Sequence, residues 1–298
     1  MGNRISTFAS KKTFFYALIL PASIIILLVL IIPIAYSLYV SFTDLVLYKP
    51  NAQQFIGLKN YLEVLKDKYF WGSMWRTIYF VMGTVSAEIV IGILISLVLN
   101  QKFKGRTVLR GLVLLPWVIP GVVNGVMWKW IFNANYGALN AFLHQLHIID
   151  SYQVWLQNPF IALNLIMLAN VWKETPVVII MVLAFFQTIP SQLYEAASID
   201  GASPFSKFRW VTLPLVVPVL VTTFIIKAVW AIREFELIYI ITKGGPQAGT
   251  TLVNYYIYQQ TFKFLNFGYG SAIAYIVTIL TAILAVIFIR RNILSSVS

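Results

Sequence analysis

Apolar residues run nearly unbroken from about Phe14 to Phe42, and five further apolar runs follow at about 77–99, 108–132, 160–186, 211–241 and 269–289. Each is long enough, at roughly 20 residues, to cross the hydrocarbon core of a bilayer as a helix. A chain in lipid must satisfy its own backbone hydrogen bonds, so six such runs predict an all-α integral membrane fold with six transmembrane helices. The first run is too long for the core of a signal peptide and shows no small-residue cleavage site near its end, so it is expected to be retained. Pro21 and Pro33 are expected to bend it. In the third run, Gly121 and Gly125 stand four residues apart and predict close helix packing. Between the first two runs, FIGLKNYLEVLKDKYFW has the pattern of a short amphipathic helix at the membrane face.

The stretch at 187–210 interrupts this pattern with polar and turn-forming residues. Ser191 is placed to cap a short helix through Tyr194, Glu195 and Ala197, and Asp200-Gly201 supplies a left-handed stop. Ser203-Pro204 starts a second short helix, and Pro214 and Pro218 are expected to bend the chain as it returns to the membrane. The result is a helix-turn-helix wedge. Taken alone, Glu195 and Asp200 read as solvated charges, and Gly201 as a backbone residue that passes freely through positive φ.

Composition narrows the class. Hydrophobic residues make up 59% and charged residues 11%, which describes a polytopic membrane protein. The net charge of +12 needs no nucleic acid, because Lys and Arg gather beside apolar runs. The termini and the loops at 101–110 and 187–210 hold eleven of them, against seven in the opposite loops. Both termini and the wedge are therefore expected on the cytoplasmic side. Cysteine is absent, which excludes disulfides and thiolate chemistry. His144 and His147 have no carboxylate cluster to complete a metal site. No nucleophile-base pair is legible, and no G-x-x-x-x-G-K-[ST] loop is present, so neither catalysis nor ATP hydrolysis by that mechanism is expected. No linker divides the chain, and residues 1–298 are expected to form one domain.

Ionisable groups inside apolar runs cost about 2.5–3.5 kcal/mol each near the membrane centre, so each asks for a reason. Asn170, Lys173 and Glu174 share one helix face, and Pro176 follows. Trp230, Arg233 and Glu234 repeat the spacing in the next run, with Lys227 and Glu236 nearby. Two polar faces suggest a shared water-filled cavity whose aromatic and hydrogen-bonding groups suit a sugar ring. The competing reading is structural: Glu174 with Arg233, or Lys173 with Glu234, as interhelical ion pairs. Glu88 and Lys129 read as packing and snorkelling residues.

The wedge also carries a motif. Glu195, Ala196, Ala197, Asp200, Gly201, Ala202, Phe208, Val211, Leu213, Pro214 and Pro218 resemble the EAA loop of ATP-binding-cassette (ABC) importer permeases. Gly57, Leu58, Asn60, Tyr61, Phe70 and Trp71, the run FELIYIITKGGP from Phe235 to Pro246, and GYGSA from Gly268 to Ala272 are similar to the carbohydrate-uptake branch of that family, of maltose and glycerol-phosphate type. The resemblance implies a type I importer permease fold with a cytoplasmic coupling helix. In it Glu195, Ala196, Ala197, Asp200 and Gly201 would engage an ATPase subunit. It places Trp117, Gly121, Asn170, Lys173, Glu174, Arg233 and Glu234 along the substrate path, to which the clustering above adds Trp230. Of these only Asn170 keeps the residue type of the maltose permease, which leaves the sugar open.

The implied partners are two ATPase subunits holding ATP and Mg, a sister permease that family habit makes a different chain, and an extracytoplasmic solute-binding protein. The implied location is the plasma membrane of a bacterium or archaeon, with lipid all round. The rival is an ion-coupled secondary transporter using Glu174 or Glu234. It would work as a single chain.

Overall fold

The computed structural model describes residues 3–49 and 53–297. The described residues are helical apart from loops and two isolated β-bridges. Among the described residues, five helices are long and apolar enough to cross a membrane, and a sixth span is present if a bent pair counts as one. The chain divides into two compact units, one holding residues up to Asp67 with Ile257–Val277, the other Lys68–Tyr256 with the chain from Thr278 on.

In the first unit, α1 (Asn3–Ile26) and α2 (Ile32–Ser41) are joined by a π turn, and Phe14–Ser41 forms one span. Its large apolar side chains are exposed, as expected of a lipid-facing helix. The amphipathic stretch folds as α3 (Lys59–Lys66). Asn60 donates to the carbonyls of Ser41 (2.9 Å) and Thr43 (2.8 Å), and Tyr61 Oη lies 2.6 Å from Ser41 Oγ. Gly268 packs against the same Thr43 carbonyl, where a side chain would not fit. The G-L-x-N-Y and G-Y-G-S-A stretches thus meet as a packing device.

The second unit is built on α4 (Lys68–Asn100) and α9 (Pro159–Phe186), with α12 (Leu213–Ile232) against both. α4 and α9 run parallel. Tyr79 donates to Asn164 at one end (2.9 Å), Ser96 donates to the Ile179 carbonyl further along (3.2 Å), and Leu99 packs on Leu183 at the other end. Small residues allow the approach: a Cβ at Gly92 would lie 2.6 Å from Val178 Cγ1. Gly92→Leu is expected to cost about 1–3 kcal/mol, because neither backbone can retreat from a shared core. Thermal unfolding in detergent, unchanged from wild type, would refute that packing argument. Beyond Gly92, Val178, Val182, Phe186 and Val216 form the apolar core where the three helices meet.

Several expected boundaries are corrected. α4 starts at Lys68, nine residues before the apolar run, and so carries Trp71 and Trp75 on its first turns. The third run is broken: α5 (Arg106–Val113) and α6 (Leu115–Val118) meet α7 (Gly121–Ile131) at 92°. Ile119 is extended and Pro120 has no amide hydrogen, so the helix cannot pass through. The fifth run stops at Ile232 rather than 241, and a π turn, Ile238–Thr242, follows the break. Here the Glu234 carboxylate accepts from the Leu237 amide (2.9 Å) and starts a new turn. After α8 (Ala138–Gln145) and the helices above, α10 (Ser191–Ile199), α11 (Pro204–Lys207), α13 (Val253–Tyr258) and α14 (Phe267–Val297) complete the order.

Candidate functional site

The wedge is α10 and its exit. Ser191 does not cap it; Pro190 holds the cap position and Ser191 is already helical. Its end follows the expected stop: Gly201 has φ +75°, and the amides of Gly201 and Ala202 donate to the carbonyls of Ser198 (3.1 Å) and Ala197 (2.9 Å). This is the paired closure that a left-handed residue after a helix permits. Ser203 Oγ then accepts from the Ser206 amide (3.2 Å) and caps α11.

The second short helix does not stand alone. α11, a π turn at Phe208–Thr212 and α12 form one continuous helix from Pro204 to Ile232. Pro214 falls in the first turn after the π segment, where its fixed φ suits a helix and its missing amide costs little. α10 is tied to this helix twice, by Lys207 Nζ to Ser198 Oγ (2.7 Å) and by Tyr194 Oη with Thr212 Oγ1 (3.0 Å). Glu195, Ala196, Asp200 and Gly201 are exposed, Ala197 is half-buried, and Ile199 and Phe205 are open apolar side chains. The two tethers were not legible in sequence, because they join side chains that only the turn between α10 and α11 brings together.

At mid-helix the charges arrange themselves around Lys227, which is 1% exposed. Its Nζ lies 2.6 Å from Glu174 Oε2 and 3.3 Å from Glu88 Oε2, so α12 is joined to α9 and α4 at one point. Lys173 pairs with the other Glu174 oxygen at 2.8 Å. The same Lys227 ammonium stands 5.1 Å from the Trp230 ring centre. The expected pairs Glu174–Arg233 and Lys173–Glu234 are absent among the described residues. Glu88 is no lone packing residue but the buried third member of this group. Only its being an ionisable group in an apolar run could have flagged it.

A second polar contact crosses from α9 to the break after α12: Asn170 Nδ2 donates to Glu234 Oε2 at 2.9 Å. With Leu237 on its other oxygen, Glu234 is held between two helices. Gly121, at the start of α7, packs directly under the Glu236 side chain, and Gly125 lies against Ile240. α6 with Trp117 packs on α9, and Trp117 and Trp230 are each nearly half exposed. Arg233 caps the end of α12 and is exposed, without an ion pair among the described residues. The structure thus joins Asn170 with Glu234, Lys173 with Glu174, and Gly121 with Glu236. It leaves Trp117 and Arg233 outside these contacts.

The family described as "Binding-protein-dependent transport system inner membrane component" matches residues 88–298. The chain belongs to this family. The trehalose/maltose transport system permease protein MalF of Thermococcus litoralis is 37% identical to the permease over 92% of each chain. The sulfoquinovosyl glycerol transport system permease protein SmoG of Agrobacterium fabrum is 34% identical over 92% of this chain and 88% of its own. The inner membrane ABC transporter permease YcjO of Escherichia coli is 32% identical over 97% of both.

Among solved structures, a chain of a bacterial ABC transporter for the acidic polysaccharide alginate superposes with TM-score 0.80 over 97% of this chain and 98% of its own, at 20% identity. It shows a shared fold. The permease is therefore a membrane-embedded transport subunit of an ABC importer and not an enzyme; ATP hydrolysis belongs to a separate subunit.

Proposed function

We propose that this permease carries a sugar or oligosaccharide into the cytoplasm by alternating access, as one importer transmembrane domain. The observation that carries the reading is the continuous helix Pro204–Ile232, which links the tethered wedge at one end to Lys227 and Trp230 at the other. At about 1.5 Å per residue, such a helix moves a mid-membrane site when its wedge is moved. Exposed Ile199 and Phe205 beside Glu195 and Asp200 suit burial in a cleft of an ATPase subunit. In this reading two such subunits hold ATP and Mg, and both termini of the permease face them in the cytoplasm. A sister permease of different sequence completes the pore, and an extracytoplasmic binding protein delivers the sugar. The printed substrates of MalF and SmoG, trehalose/maltose and sulfoquinovosyl glycerol, support a carbohydrate. Asn170, Lys173, Glu174, Trp230, Arg233 and Glu234, with Trp117 and Gly121 on the facing helices, would line its path.

The test is a tagged purification from the native membrane in mild detergent. Mass spectrometry is expected to find an ATPase chain and a second six-span permease in stoichiometric amount. The complex in proteoliposomes should then accumulate a labelled disaccharide only with ATP and the binding protein. Recovery of this chain alone, active under an ion gradient, would replace the proposal with secondary transport.

A further inference from the structure

Glu88 is the buried charge that the substrate path does not use. It is 1% exposed on α4, and the one cation paired with it among the described residues is Lys227, at 3.3 Å. Among the described residues neither of its oxygens accepts a hydrogen bond of good geometry. A charge-assisted N–H···O bond closes at about 2.7–2.9 Å, so this contact is an ion pair that stops just short of bonding. Glu174 is in the opposite condition: Lys227 bonds one oxygen at 2.6 Å and Lys173 the other at 2.8 Å. One carboxylate has two cations, and the other has half of one.

We infer that Lys227 is a positioning residue that passes between Glu174 and Glu88 during the transport cycle. The arrangement has the properties such an exchange requires. If Lys227 leaves Glu174, Lys173 still pairs with that carboxylate, so no charge is stranded there. If Lys227 closes on Glu88, the buried carboxylate gains its hydrogen bond. The two end states therefore hold similar numbers of bonds, as a bistable element needs, whereas an ion pair built only for stability would satisfy its most buried member first. Two carboxylates and two ammoniums keep the group neutral in both states. Lys227 also sits on the one helix that begins at the wedge, so displacement of α12 changes its distance to α4 and α9 directly. The inference rests on the proposal that an ATPase moves the wedge.

The chain has no cysteine, so paired spin labels at Val90→Cys on α4 and Val217→Cys on α12, both exposed positions, report this displacement in the assembled transporter. Trapping with ATP and vanadate needs no substrate. In the parent background the label distance is expected to change on trapping. Glu88→Gln removes the second station; the complex should assemble, keep the untrapped distance, and lose at least tenfold of its binding-protein-stimulated ATP hydrolysis. Lys173→Met should do the same from the other side, by holding Lys227 on Glu174.

A purely structural role predicts at most a loss of stability for Glu88→Gln, since Lys227 keeps Glu174, and would leave the distance change on trapping intact. A parent-like distance change in Glu88→Gln, or in Lys173→Met should the first variant not assemble, overturns the exchange. No change in the parent itself would instead remove the ATP-driven reading on which it stands.

Discussion

Lys227→Met is expected to be the most destabilising single change in the second unit, at about 3–5 kcal/mol, because it strands a carboxylate in the core. The side chains are nearly isosteric, so packing is kept and the loss is electrostatic. Glu174 retains Lys173, whereas Glu88 retains no cation and no hydrogen bond. The outcome would be a sharp fall in thermal stability in detergent and poor recovery of the complex. Adding Glu88→Gln to the same chain should restore most of the stability, because the uncompensated charge is then gone. If Lys227→Met melts with the parent, the group is not acting as a buried ion pair.

Gly201→Val is expected to lower ATP-driven uptake by at least about tenfold, with Gly201→Asn close to the parent. No atom of this chain lies within 4 Å of where a Cβ would be, so crowding within the permease cannot cause the loss. The cause is the φ of +75°, which a β-branched residue resists at a cost of about 1–3 kcal/mol and asparagine tolerates. Relaxing that strain opens the closure at Ala197 and Ser198 and turns the wedge. Uptake by proteoliposomes carrying the full transporter measures it. Equal activity of the two variants would move the role of Gly201 from its backbone to a contact surface.

Much of this was written in the chain. Apolar runs signalled an all-helical membrane fold, and the stop at Asp200-Gly201 closed as its residue types demand. Chain breaks inside the third and fifth runs were less legible, because apolar content does not report direction. Pro116 and Pro120 both signal trouble, but only the extended Ile119 turns it into a 92° corner. At Glu234 the helix ends because a side chain competes for a backbone amide, which periodicity does not register. Asn170, Lys173 and Glu174 were recognisable as one polar face. That Glu88 and Lys227 complete it depended on α4 and α12 meeting at a depth that no local pattern encodes.

The π turn at Phe208–Thr212 stands between the wedge and the long apolar part of the helix that carries Lys227. A π turn accommodates one residue more than an α turn, and one residue is about 100° of rotation about a helix axis. The angular phase between the wedge and the face bearing Lys227 is therefore fixed by a residue count, with chemistry secondary. Substitutions within those five positions leave that phase alone, whereas a single deletion would point an intact wedge away from its socket. Between permeases of this kind, wedge and pore can diverge in sequence separately as long as the spacer keeps its length.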